Sequence, residues 1–157
     1  MAHPNTRITN FTNRTVTVTP VLDTNAYTAN DVLFPAIELD FGNQLVSGVI
    51  KHASILDTDD QASQTITLYF AGSTFTLGTA NSAISISDAD AEKLLGTAAV
   101  TTSTDLIGSR FGQNTDIGLP FTVNSGSLFV AASTGGAGTH SASGLKLRVT
   151  IEVHTEN

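Results

Sequence analysis

The densest group of potentially reactive side chains in this chain is Asp57-Thr-Asp-Asp60. Carboxylates two positions apart can share a hard cation, as they do in calcium-binding loops. The glycine and the closing bidentate Glu of such a loop are missing here. Asp and its polar neighbours also hydrogen-bond their own backbone, so 57–61 reads as a solvated turn between two strands. Asp88, Asp90 and Glu92 form a second acidic set, and Ser87 three residues before Asp90 marks a helix N-terminus, where the dipole favours anions. The histidines His3, His52, His140 and His154 form no H-x-H or H-E-x-x-H pair, so metal-ligand spacing is absent. Only His52 falls on a central strand, in a structural role. No G-x-S-x-G elbow is present, and Gly135-Gly-Ala-Gly138 lacks the Lys-Ser/Thr and helix of a phosphate loop. A glycosidase carboxylate pair has no fixed spacing, but the chain has no tryptophan to stack a sugar. With no placed acid, base or nucleophile, the sequence predicts a non-enzyme. No catalytic, cofactor-binding or metal-ligating residue is assigned.

Those residues must be held by something, and bulk composition narrows what. At 157 residues the chain is about one domain long and can bury a real core without staples. It has no cysteine, so neither disulfides nor thiolate zinc sites contribute. The formal net charge is −7, and the seven Lys and Arg residues are scattered, with only Lys146 and Arg148 sharing a face. Phosphate neutralisation needs a basic footprint, which argues against nucleic acid as a partner. No apolar run approaches the roughly 18 residues of a membrane span. The segment Met1-Ala-His-Pro-Asn-Thr-Arg lacks signal-peptide character, so a soluble, unsecreted product without a membrane partner is expected. Threonine occurs 24 times, and its β-branched side chain suits a half-exposed pleated surface.

Period-2 alternation then locates the strands. Thr15–Thr19 places Val16 and Val18 inward. The run 31–41 alternates around Pro35, which predicts an edge strand or a bulge. Gly48–Phe70 reads as a hairpin about the acidic turn. Its outgoing half has Val49, Ala53 and Ile55 on one face and Ile50 and Leu56 on the other. Its return half buries Ile66, Leu68 and Phe70. A helix over about 88–95 is predicted, starting at Ser87 and ending at Gly96, with Ala91, Leu94 and Leu95 packed on a sheet as it crosses the open end of a sandwich. A possible strand spans 98–102, and 104–118 reads as a long loop. Strands at 119–123 and 127–132 flank a turn, and the glycine-rich 134–144 reads as an exposed, flexible hairpin tip. Leu145 to Val153 is the cleanest strand. The sum is an all-β protein, an antiparallel β-sandwich or jelly roll with one short helix. Residues 1–13 form an N-terminal extended arm, and 14–157 form a single sandwich domain.

Several stretches carry a resemblance as well as a pattern. They are Val18-Thr-Pro-Val-Leu-Asp-Thr-Asn-Ala-Tyr27-Thr-Ala-Asn-Asp31-Val-Leu, Ser47-Gly-Val-Ile-Lys, Ile55-Leu-Asp57-Thr-Asp-Asp-Gln61, Ile86-Ser-Asp-Ala-Asp90-Ala-Glu-Lys-Leu-Leu-Gly96, Gly118-Leu-Pro-Phe121 and Ser127-Leu-Phe-Val130. In this order, over residues 15–153, the chain resembles tailed-bacteriophage virion structural proteins of the capsid decoration or cement type. The resemblance implies a jelly-roll module, often a homotrimer, bound to the major capsid protein on the outside of the capsid after synthesis in the host cytoplasm. Its motifs carry no reactive group. A tail- or fibre-associated adhesion module that binds a host receptor or glycan is the alternative.

Overall fold

Strands that alternate polar and apolar residues have one face to bury, and the chain turns that apolar face inward between two antiparallel sheets. The computed structural model describes residues 9–42, 47–123 and 126–156. In order, the elements are β1 (Thr9–Val18), β2 (Val32–Leu39), β3 (Ser47–Asp57), β4 (Thr65–Ala71), α1 (Asp88–Ala91), β5 (Leu94–Thr101), β6 (Thr104–Asp105), β7 (Arg110–Asn114), β8 (Leu119–Thr122), β9 (Leu128–Thr134) and β10 (Leu145–Glu156). One sheet has the order β1-β10-β3-β7-β6, with β8 pairing the N-terminal half of β3. The other has the order β2-β9-β4-β5. Pairing is therefore nested: β1 with β10, β2 with β9, β3 with β7 and β8, β4 with β5. Nested antiparallel pairing divided between two packed sheets is the jelly roll.

The strand phases follow the pattern of the sequence. Leu145, Leu147, Val149, Ile151 and Val153 of β10 point into the core, as do Ile66, Leu68 and Phe70 of β4. β2 is an edge strand whose register slips between Val32 and Phe34 and again between Phe34 and Ile37, the interval that contains Pro35. That is where a residue without an N–H can be accommodated. Residues 9–13 belong to β1 and pair with the end of β10; residues 1–8 lie outside the described ones.

The run 104–118 is not one long loop: it holds β6 and β7, which pair with each other, and β7 also pairs with β3. Four further expectations change. First, β3 and β4 do not pair: they lie in opposite sheets, joined by 58–64. Seven residues exceed a tight hairpin loop and suffice to cross between layers about 10 Å apart. The links β8–β9 and β9–β10 likewise change sheets, so neither is a hairpin. Second, the two-faced apolar pattern of β3 comes from a bulge. Ile151 pairs Ile50 while Thr150 pairs His52, leaving Lys51 as an extra residue that brings Ile50 and Ala53 onto the same inner face. Third, the helix stops at Ala91 and buries nothing. Leu94, Leu95 and Gly96 enter β5, where ladder bonds to β4 displace the marginal helix. Fourth, the β4–β5 connection covers the outer face of the second sheet, placing Phe75, Leu77 and Ile86 over Val32, Ala71 and Ala131. Among the described residues no helix is long and apolar enough to cross a membrane.

Leu68 is fully buried at the middle of β4, flanked by Ala98 and Ala132. Leu68→Ala should lower the unfolding free energy by roughly 2–5 kcal/mol, read from urea denaturation.

Candidate functional site: crossover loops around Asp57 and His140

Because Ala53, Ile55 and Asp57 share a phase after the bulge, the last residue of β3 is turned into the core end of the sandwich. Asp57 has no exposed surface. Its Oδ1 accepts the Asp59 N–H at 2.9 Å and its Oδ2 accepts the Gln61 N–H at 3.2 Å. A carboxylate that bonds its own following backbone closes the turn, and Asp60 completes it at φ 53, a conformation Asp tolerates.

The glycine-rich 135–144 segment lies directly on this turn. A Cβ at Gly144 would lie 1.7 Å from Asp59 Oδ2, and one at Gly135 would lie 2.5 Å from the Thr65 carbonyl oxygen. These glycines are needed for close approach. The Thr58 N–H donates to the Gly144 carbonyl at 2.8 Å. The Ser141 N–H donates to Asp59 Oδ2 at 2.7 Å, and its hydroxyl to Asp59 Oδ1 at 2.9 Å. The Thr139 N–H donates to Gln61 Oε1 at 3.0 Å. The β1–β2 loop joins the same cluster through Leu22 N–H to the Ala142 carbonyl and Tyr27 N–H to the Gly138 carbonyl.

His140 is carried inward by this zipper and is only 2% exposed. Its Nε2 lies 3.4 Å from the Gln64 side-chain amide. That amide also abuts the Thr134 hydroxyl, which donates to the Gly136 carbonyl at 2.9 Å. His140 Nδ1 lies 3.8 Å from Asp57 Oδ1 and 3.7 Å from Asp59 Oδ2. Both separations exceed a hydrogen bond, and Nδ1 is buried without a hydrogen-bond partner. The Tyr27 ring stands edge-on to the imidazole at 6.0 Å. Its hydroxyl donates to the Leu33 carbonyl at 3.0 Å and accepts from the Asp23 N–H. Burial pushes the Tyr27 hydroxyl above its ordinary pKa. The Asn25 N–H, followed by the Asn81 side chain, holds Asp23 below the usual carboxylate value.

The other candidates fall elsewhere. His52 is half-buried beside Gln113 on the outer face of β3. His154 lies 3.4 Å from Glu152 and packs edge-on against Phe11; His3 lies outside the described residues. Asp88 and Asp90 sit in the first turn of α1, with Ser87 accepting the Asp90 N–H. Hydrogen bonding, above all from Lys93, lowers the Asp90 pKa. Gly135–Gly138 leads into no helix, and no described hydroxyl is paired with a histidine. The solvated turn and flexible tip expected at 57–61 and 134–144 are thus one interlocked, partly buried cluster. His140 escaped sequence reading because its ligand-type neighbours lie about eighty positions away. Asp57 carried a signal in its phase with Ala53 and Ile55.

The sequence matches no protein-family model and no curated protein. Among solved structures it is similar to that of Desmodium yellow mottle tymovirus, with a TM-score of 0.38 and 9% identity over 100% of this chain and 93% of that one. The capsid asymmetric unit of cyanophage Pam1 gives 0.33 and 20% over 98% and 90%. Turnip yellow mosaic virus gives 0.35 and 8% over 94% of each chain. At these scores the assignment of the fold rests on strand order.

The contacts of Asp59 join two crossover loops, so Asp59→Ala should destabilise the protein by about 1–3 kcal/mol in thermal or urea unfolding. Gly144→Ala should do the same by driving the carboxylate off Ser141. A silent Asp59→Ala would mean that the loops hold without it.

Proposed function

We propose that this chain is a non-enzymatic structural protein of a bacteriophage particle, a decoration or cement protein that binds the major capsid protein lattice from outside as a homotrimer. The observation that carries the reading is the β6–β7 hairpin tip. Ile107 is 97% exposed and Leu106 is 50% exposed, on a surface otherwise rich in hydroxyls and carboxylates. Ile107 also sits at φ 58, where a β-branched residue is strained by roughly 1–3 kcal/mol.

The tip is braced all the same. The Leu106 N–H donates to the Ser109 carbonyl at 2.8 Å, and the Ile107 N–H to Asp105 Oδ1 at 2.8 Å. Arg110 pairs with Asp105 at 3.3 Å and lies 3.6 Å from Asp60. A rigid apolar knob suits insertion into an apolar recess of a neighbouring protein, where its burial repays the strain. The jelly roll is a framework that viral capsid domains use, although fold alone does not decide function. The acidic balance, with net charge −7, favours a protein partner over nucleic acid. The order of motifs over residues 15–153 supports the phage particle as the setting, with synthesis in the host cytoplasm. The N-terminal segment 1–13 and the loops in 104–118 and 134–144 are the proposed contact regions.

Ile107→Gly should raise thermal stability slightly, because relief of roughly 1–3 kcal/mol of left-handed strain exceeds the roughly 0.4–1 kcal/mol that glycine's freedom in the unfolded chain costs, and should lower occupancy on capsids in a binding assay. Unchanged occupancy would remove the tip from the interface. An inventory of intact virions should find hundreds of copies per particle; a few copies, with binding to host cells by the isolated protein, would favour the adhesion module instead. Sedimentation of the purified chain should give a trimer, and a stable monomer at micromolar concentration would count against that state.

A further inference from the structure

We propose that Asp57, Asp59 and His140 form a binding site for a first-row divalent metal ion, with zinc the best-suited member. The ion would clasp the β3–β4 crossover to the β9–β10 crossover. One ligand atom from each of the three residues can be chosen so that all lie within 4.8 Å of one another.

The distances separate this arrangement from a hydrogen-bonded pair, though both lie within ion-pair range. His140 Nδ1 stands 3.8 Å and 3.7 Å from the nearest oxygens of Asp57 and Asp59, too far for hydrogen bonds. Two ligands each about 2.1 Å from one ion lie roughly 3.4 Å apart at the tetrahedral angle and farther apart at wider angles. The two nitrogen–oxygen separations, 3.8 Å and 3.7 Å, fall in the range for ligands around a shared centre.

Hydrogen-bond chemistry points the same way. The Thr134 hydroxyl has one proton, and two acceptors face it: the Gln64 amide oxygen and the Gly136 carbonyl. At the other end of the amide, its NH₂ group faces His140 Nε2 at 3.4 Å. A half-turn of the Gln64 amide relieves the competition. Its NH₂ then donates to Thr134, Thr134 donates to Gly136, and the Gln64 oxygen accepts a hydrogen bond from the His140 Nε2–H. Such exchange of amide ends is decided by the network around them. In the tautomer with its proton on Nε2, His140 turns a bare Nδ1 lone pair toward two carboxylates. That is a ligand set whose imidazole is oriented by an outer hydrogen bond.

The surroundings suit a structural ion. Asp57 has no exposed surface, and His140 is 2% exposed. Asp59 is oriented by the N–H and hydroxyl of Ser141. One imidazole and two carboxylates favour zinc and its neighbours over calcium, which prefers an all-oxygen shell.

The test uses the full chain, stripped with a chelator and titrated with zinc chloride by calorimetry and thermal melting. Binding of one ion per chain and a higher Tm are expected, because an ion that binds only the folded state stabilises it. In the zinc-loaded protein, NMR should show the ¹⁵N shift of a metal-bound Nδ1 at His140. His140→Gln and Asp59→Asn should each weaken binding by more than the roughly 10- to 100-fold that loss of an outer hydrogen-bond partner costs. His3→Ala should bind as the parent does. If His140→Gln fails to fold, Asp59→Asn and the NMR signal decide. Equal zinc affinity in Asp59→Asn, a metal-bound shift on another histidine, or a Tm raised by calcium and not by zinc would each overturn the site.

Discussion

A carboxylate with no exposed surface has to be surrounded by partners, and Asp57 imposes that requirement on one whole end of this sandwich. Its inward direction follows from the strand. Once Lys51 is inserted as a bulge, Ile50, Ala53, Ile55 and Asp57 all face the core, so the strand ends by pushing a charge where apolar residues precede it. Burying such a group without hydrogen bonds would be prohibitive. The turn answers first with the N–H groups of Asp59 and Gln61. The second sheet contributes next, because the β9–β10 crossover lies over the turn and brings His140 with it.

That crossover inverts the usual reading of a glycine-rich segment. Composition alone suggests mobility, yet Gly144 and Gly135 lie where a side chain would collide with Asp59 and with the Thr65 backbone. Their role is to let two backbones approach closely enough for N–H groups to reach side-chain oxygens. The close approach in turn explains how His140, on a loop of small polar residues, is as buried as a core leucine. In a jelly roll, successive strands change sheets, so the crossovers of β1–β2, β3–β4 and β9–β10 meet at one end. The polar cluster is the seam between them.

The alternation of β4 and β10 was legible in the sequence because buried and exposed faces there differ residue by residue. Pro35 marked an irregular edge for the same local reason. What could not be read locally was pairing. A strand followed by polar turn residues and another strand looks the same whether the chain folds back beside itself or crosses to the opposite layer, and at 58–64 it crosses. Ser87 and Asp90 marked the helix start correctly. Its end was missed because ladder bonds to β4 take over at Leu94, and these are long-range. The site around His140 was hidden for the related reason that its members come from β3 and from a loop far along the chain.

The three carboxylates of 57–60 end up looking in three directions. Asp57 points into the core end and Asp59 across to Ser141. Asp60 lies 3.6 Å from Arg110, the residue that also braces Asp105 beneath the exposed Ile107. A run that reads as one solvated acidic patch is therefore the point where the core, the β9–β10 crossover and the β6–β7 hairpin are tied together. Arg110 is central to the last link, since β7 pairs with the final residues of β3 through Asp57↔Arg110. The strained, apolar tip thus stands on the same strand end that carries the buried carboxylate.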